Sequence, residues 1–265
     1  MRTSMLVAAL AAAAGVATTT VAATVAQAAP GSAPATAELF VVQGLPDRAL
    51  DVVVDGRTVA EDVATSEVVG PFEVPVGART LTVSDDGEVV LESSVTSAAG
   101  ESHDVVVHQA TSSSAPPVTT VFDNDLTAVP RGKSRLTVAH TAAVAPADIR
   151  VDGEVLFANV ANGESLEVVV PAGTYAVDIV PTGQEGPAVL GPLDLQVRGG
   201  SVTQVYAVGD PEAQSMNVAT HVLSTSTSGS AAPDLVDTGS GGQAVGATPA
   251  HGTAWEPVRS LALLR

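Results

Sequence analysis

Leu50-Asp51-Val52-Val53-Val54-Asp55-Gly56 returns later in the chain as Ala147-Asp148-Ile149-Arg150-Val151-Asp152-Gly153. Each copy is a short run of β-branched residues closing on Asp-Gly, the strongest local signal for a two-residue hairpin turn. Such a turn needs positive φ at both central residues, which Asp tolerates and Gly adopts without steric cost. The two copies are 97 residues apart (148 − 51), and Leu39/Leu136 and Val63/Val160 keep that spacing. Pro75-Val76-Gly77 and Pro171-Ala172-Gly173 are 96 apart, and Ser102/Ser201 with Val106/Val205 suggest 99. Drift at turns with strands kept in phase marks a duplicated domain, and it predicts Val54 equivalent to Val151 and Pro75 to Pro171.

A chain of 265 residues holding a repeat of this length divides into two domains, each long enough for a core of its own. Hydrophobic residues make up 45% but aromatics only 3%, so Val, Ala and Leu must fill those cores. The 29 acidic residues against 11 basic ones argue against nucleic acid or an anionic membrane as partner, because both require a basic face. With no cysteine there is no disulfide, thiolate metal site or cysteine nucleophile.

Met1 to Ala28 reads as a secretory signal peptide: Arg2 as the positive start, Leu6 to Ala17 as the apolar core, and Ala26-Gln27-Ala28 as a cleavage site before Ala29. Its apolar core is too short for a comfortable membrane span. Cleavage removes one basic residue and no acidic one, so the mature charge is one unit more negative than the −18 of the whole chain.

Residues 29–36 read as a disordered spacer. From Glu38 onward, short β-rich runs alternate with turns every eight to twelve residues, and no sustained helical period follows the signal. Eight strands are expected in each repeat, near 38–43, 50–54, 57–63, 68–74, 79–84, 89–96, 103–109 and 118–122, then near 135–140, 148–151, 155–160, 165–170, 174–180, 189–197, 202–208 and 216–222. The runs Val105-Val106-Val107 and Val168-Val169-Val170 suggest strands covered on both faces. The expected fold is all-β: two tandem immunoglobulin-like β-sandwich domains, 37–125 and 134–223, with a linker at 126–133 and a disordered Ser/Gly-rich tail at 224–265. The likeness to immunoglobulin domains is architectural, since their Cys and Trp signature is missing.

Thr120-Val121-Phe122-Asp123-Asn124-Asp125, Arg135-Leu136-Thr137-Val138-Ala139-His140-Thr141-Ala142-Ala143 and Pro171-Ala172-Gly173-Thr174-Tyr175, with Val205-Tyr206-Ala207-Val208-Gly209, resemble the exported actinobacterial proteins catalogued as domain of unknown function 4397. The resemblance implies export, tandem sandwich-like domains, often a surface location, and no established catalysis. The first repeat departs from the pattern, with Gln43 in place of His140 and Arg79 in place of Tyr175.

Several constellations suggest chemistry. Leu235-Val236-Asp237-Thr238-Gly239-Ser240 looks like an aspartic protease signature, but it occurs once and has no strand framework around it. Leu235 to Gly239 also resembles a sortase pentapeptide, yet the apolar stretch before Arg265 is too short for a sorting signal. His103 and His108, five apart on one strand, point to opposite faces, and the remaining histidines are scattered, so no metal site is expected from them. Asp123 and Asp125 could ligate Ca²⁺, although Asx residues after a strand more often build turns. The pairs Asp51/Asp55 and Asp148/Asp152 are the carboxylates a hydrolase would use. Phe40, Phe72, Phe122, Phe157, Tyr175 and Tyr206 fall in strands, where packing is the commoner use than glycan stacking.

These features point to an exported, non-enzymatic surface or extracellular interaction module. It is expected to have no catalytic, cofactor or metal residues and no transmembrane span in the mature chain. Its partner is expected to be an extracellular or cell-envelope protein or polymer. The alternatives are a wall-anchored structural stalk and a hydrolase working through a carboxylate pair.

Overall fold

A computed structural model of the protein describes residues 35–112 and 114–226; the signal peptide expected at 1–28, most of the spacer expected at 29–36, Leu235 to Gly239 and Trp255 lie outside them. The first repeat forms β1 (Thr36–Gln43), β2 (Leu50–Val54), β3 (Arg57–Val63), β4 (Val68–Pro75), β5 (Gly77–Asp85), β6 (Glu88–Ser97), β7 (Ser102–His108) and β8 (Val118–Asp123). The second forms β9 (Lys133–His140), β10 (Ala147–Val151), β11 (Glu154–Val160), β12 (Ser165–Pro171), β13 (Gly173–Pro181), β14 (Leu190–Val197), β15 (Ser201–Val208) and β16 (Asn217–Ser224). The described chain is all-β, and each repeat is a sandwich of two four-stranded sheets. The orders are β3-β2-β5-β6 and β4-β1-β7-β8 in the first, β11-β10-β13-β14 and β12-β9-β15-β16 in the second.

The Asp-Gly pairs behave as the sequence predicts. Asp55 and Gly56 have φ of 48° and 77°, and Asp152 and Gly153 have 52° and 83°, each joining the second strand of its repeat to the third. Val54 and Val151 end β2 and β10, and Pro75 and Pro171 end β4 and β12, so the expected equivalences hold.

The pairing registers locate each slip in the repeat. Opposite Phe40 of β1, strand β4 places two residues, Gly70 and Pro71, where β12 places the single Glu167 opposite Thr137. That bulge takes the offset from 97 to 96. Glycine is required there: φ at Gly70 is 131°, and a Cβ would lie 2.8 Å from the Leu39 carbonyl oxygen and 2.9 Å from the Phe40 ring.

The later offset is 100, not 99. Leu39 pairs with His103 and Leu136 with Thr203, which makes Val105 the counterpart of Val205 and Val106 that of Tyr206. The Ser102/Ser201 match misleads because a one-residue slip turns every side chain to the other face of the sheet. The extra residues of the second repeat lie in the longer connection between β13 and β14.

Each sandwich has its own core. Leu39, Val41, Leu50, Val52, Leu81, Val83, Val105 and Val107 pack in the first, and Leu136, Val138, Ile149, Val177, Ile179, Val205 and Ala207 in the second. A third buried cluster joins them: Val42, Val106 and Phe122 from one side meet Ala139, Tyr206, Val208 and Ala219 from the other. The sheets containing β1 and β9 are therefore packed on both faces, and the two sandwiches together are four sheets deep. This is why β7 and β15 are buried at every position. Val105, Val106 and Val107 are covered on both sides as expected, but β12 is not. It is an edge strand, and Val169 remains 38% exposed. A continuous apolar run therefore marks a doubly covered strand at Val105–Val107 and an unprotected margin at Val168–Val170.

The junction has an approximate two-fold character. The site of Gly44 lies against Val208, whose counterpart His108 lies against Thr141, the counterpart of Gly44. Likewise β4 contacts β16, while Gly163, just ahead of β12, approaches Thr120 of β8. Each pair exchanges the roles of the two repeats.

Candidate functional sites: the junction, the acidic turns and an apolar edge

A polar group sits inside the apolar junction. Asp104 of β7 is fully buried and accepts hydrogen bonds from the Tyr206 hydroxyl at 2.7 Å and from Asn124 Nδ2 at 2.8 Å. His221 Nδ1 lies 2.9 Å from both of its carboxylate oxygens. Asn124 also accepts from Gln204 Nε2 at 2.9 Å. These atoms would be costly to bury alone, and they satisfy one another, while Gln204 Oε1 is buried without a partner. Burial first, and then the Asp104 charge, push the Tyr206 phenol well above its ordinary range, so it stays a donor. Two tilted ring pairs flank the group: Phe40 with His221 at 4.3 Å and Phe122 with Tyr206 at 5.4 Å between centroids.

The carboxylate pairs of the repeated motif have structural work. In β3 and β11 two residues oppose one on the neighbouring strand, and the extra residue has positive φ (54° at Asp62, 57° at Asn159). The freed amides donate to Asp51 Oδ1 at 3.1 Å and to Asp148 Oδ1 at 2.7 Å. Asp148 accepts a second amide, from Gly183 at 2.9 Å, and these two bonds hold its carboxyl below the usual range. Asp55 and Asp152 accept from the amides of Thr80 and Ala176 on the strand beside each hairpin, at 2.9 and 3.0 Å. All four carboxylates of the Asp-x-x-x-Asp-Gly motif are thus bound to backbone donors, a pattern no single-copy reading of acid pairs could reveal.

The segment Asp123-Asn124-Asp125 disperses its side chains. Asp123 Oδ1 faces His103 Nδ1 at 2.8 Å, Asn124 turns into the junction, and Asp125 pairs with Arg135 at 2.8 Å. Asp125 also accepts from the Thr127 amide, and bonds to Thr127 lower its carboxyl range before Arg135 adds to the effect. No cluster of three or more metal-ligating side chains of the His, Cys, Asp and Glu type occurs among the described residues. His103 and His108 face opposite sides of β7 as expected: His103 meets Asp123 and Glu101, and His108 meets the Gln109 carbonyl and Thr120 Oγ1 near the junction. His140 bonds a neighbouring loop, with Nε2 donating to the Ala145 carbonyl at 3.3 Å and Nδ1 accepting from the Ala142 amide at 3.4 Å. Burial lowers the pKa of both His108 and His140. Phe40, Phe122 and Tyr206 are buried at the junction, while Phe72, Phe157 and Tyr175 pack half-buried against the two cores.

The feature that sequence reasoning missed is an apolar margin on the second sandwich. Val155 (52% exposed) and Leu156 (41%) on β11, with Leu166 and Val169 on β12, face solvent on strands with no neighbour on one side. Their counterparts in the first sandwich are Thr58 and Val59 on β3 and Val69 and Glu73 on β4. Between β11 and β12, residues of both sheets line an apolar cleft of about 240 Å³ that includes Val151, Glu154, Val155, Leu156, Val170 and Tyr175. A signal was present in the sequence: the Glu73 position becomes Val169.

Residues 37–147 match the family model described as Domain of unknown function (DUF4397), so the resemblance to that family holds over this stretch. The match covers β1 to β9 and ends on the first residue of β10. No curated protein matches the chain. Among solved structures, the chain is similar to a "putative cell adhesion protein" from Bacteroides uniformis, with 12% identity, a TM-score of 0.25, and coverage of 72% of this chain and 99% of that one. A likeness of that size leaves the adhesion description with that protein. No helix among the described residues is long and apolar enough to cross a membrane.

Proposed function

We propose that the protein is an exported, non-enzymatic interaction module of the cell surface or surrounding medium, built from sandwiches at 37–125 and 134–223 joined through 126–133. The observation that carries this reading is the apolar margin of the second sandwich. In a chain of formal charge −18, Val155, Leu156, Leu166 and Val169 stand exposed together on two edge strands that flank one cleft. Unprotected edges are a liability that proteins normally blunt with charge, and the first sandwich does so with Arg57, Glu61 and Glu73 on the corresponding strands. The carboxylates a hydrolase would use instead hold backbone amides.

The test is capture of extracellular and envelope material by the immobilised mature chain, across a salt series and with or without EDTA, beside a broad hydrolase screen. Capture that weakens as salt rises and ignores EDTA is expected, since exposed charges are screened beyond roughly 10 Å at 0.1 M salt. Turnover abolished by Asp51→Asn or Asp148→Asn would overturn the reading.

A further inference from the structure

We propose that the cleft at the β11–β12 margin captures an extended peptide, with apolar side chains entering the cleft and a Lys or Arg beside them; this rests on the interaction-module reading. Three observations define the occupant. The first is size. A cleft of about 240 Å³ is smaller than the ~300–1,000 Å³ of typical small-molecule sites, so it suits individual side chains of a longer ligand.

The second is the backbone. β11 is the last strand of its sheet, so its outer side offers unpaired amide and carbonyl groups. A strand added there would be held by main-chain hydrogen bonds, with every second side chain directed to one face.

The third is charge. Glu154 is the one charged residue lining the cleft, and its carboxylate has no ion pair among the described residues. A basic group on the ligand would complement it. A second copy of this chain, also at −18, would bring like charge to the same rim.

The first sandwich sharpens the selection. Arg57, Thr58 and Arg79 stand where the second has Glu154, Val155 and Tyr175. A peptide with a basic flank is therefore favoured by one margin and disfavoured by the other, which makes the site single per chain.

The probe is fluorescein-labelled Lys-Val-Thr-Val-Thr-Val-amide, compared with the same peptide starting in Glu, on the mature chain at low salt. The lysine peptide should bind about two- to fivefold more tightly, the scale of one exposed ion pair, and Glu154→Gln should erase that preference. Leu156→Lys, at an exposed position, should weaken binding at least tenfold, and saturation should protect β11 amides from hydrogen exchange. Binding unaffected by Leu156→Lys, or protection confined to other strands, would overturn the proposal. So would concentration-dependent self-association removed by Leu156→Lys, which would seat a second copy on the margin. Salt-sensitive partner capture retained by Leu156→Lys, with no peptide binding, would overturn this site and leave the interaction reading standing. Catalytic turnover would instead remove the reading beneath it.

Discussion

Gln43 and His140 occupy the same place in the two sandwiches and hold the equivalent loop through equivalent partners, Gln43 with shorter bonds and one more of them. Gln43 Oε1 accepts from the Leu45 amide at 2.6 Å, and its Nε2 donates to the carbonyls of Leu45 and Arg48 at 3.0 and 2.9 Å. His140 Nδ1 accepts from the Ala142 amide, two residues on, and its Nε2 donates to the Ala145 carbonyl, five residues on. The fold at this position requires an acceptor and a donor a fixed distance apart, and either side chain supplies them. The difference is that a histidine can lose its acceptor by gaining a proton. The repeats therefore share a scaffold and differ in what conditions disturb it.

The same contrast organises the predictions. The largest effect should come from Tyr206, whose counterpart is Val106. Tyr206→Ala leaves a cavity at the junction and strips Asp104 of a donor, at a cost of about 3–5 kcal/mol in denaturant unfolding. Val106→Ala, at the equivalent place, should cost only about 1–2 kcal/mol. Similar costs for the two would show that the polar group adds nothing to packing.

Next comes Gly70, which the second repeat replaces with an unbulged strand. Gly70→Ala forces a Cβ against the Leu39 carbonyl and an unfavourable φ, and about 1–3 kcal/mol should be lost. Glu167→Ala on the counterpart strand removes a part-buried ion pair with Arg135, but Arg135 keeps its bonds to Asp125 and Thr127, so the loss should stay within about 1 kcal/mol.

The pH dependence follows from the lowered pKa of the buried His108 and His140. Unfolded histidine titrates near ~6.5, so at lower pH the unfolded chain binds more protons than the folded one. Their contribution is fully present above that pH and is lost as pH falls toward the folded values, at up to about 1.4 kcal/mol per pH unit for each. His140→Gln, copying the first sandwich, should leave stability at pH 8 nearly unchanged and flatten the slope below pH 6.5. An unaltered slope would place the titration elsewhere. The smallest effect is expected from calcium: millimolar Ca²⁺ or EDTA should leave the melting temperature unchanged, because Asp123, Asn124 and Asp125 already have three separate partners.

Strand positions, hairpin turns and the duplication were legible because they rest on local chemistry: Asp-Gly at the turns and β-branched runs between them. The junction was less so. Val105-Val106-Val107 signalled cover on both faces, but nothing local says that the second face meets the other repeat. The offset at β7 and β15 was misread because serine and valine recur too often in this composition to anchor a register, whereas hydrogen-bond pairing fixes it. Asp104 is far in sequence from Tyr206 and His221, and only the stacking of the two inner sheets brings it to them. The apolar margin resembled a covered strand for a simple reason: a run of valines does not record whether a neighbour exists.

The approximate two-fold junction has a consequence for behaviour on dilution. Two separate sandwiches meeting through this face would dissociate as their concentration fell, since the stability of a dimer depends on protomer concentration. Here residues 124–132 tie the halves together, and a short tether supplies an effective concentration in the millimolar range. The interface formed by Asp104, Tyr206 and Val106 therefore persists in dilute solution as it would in a crowded one.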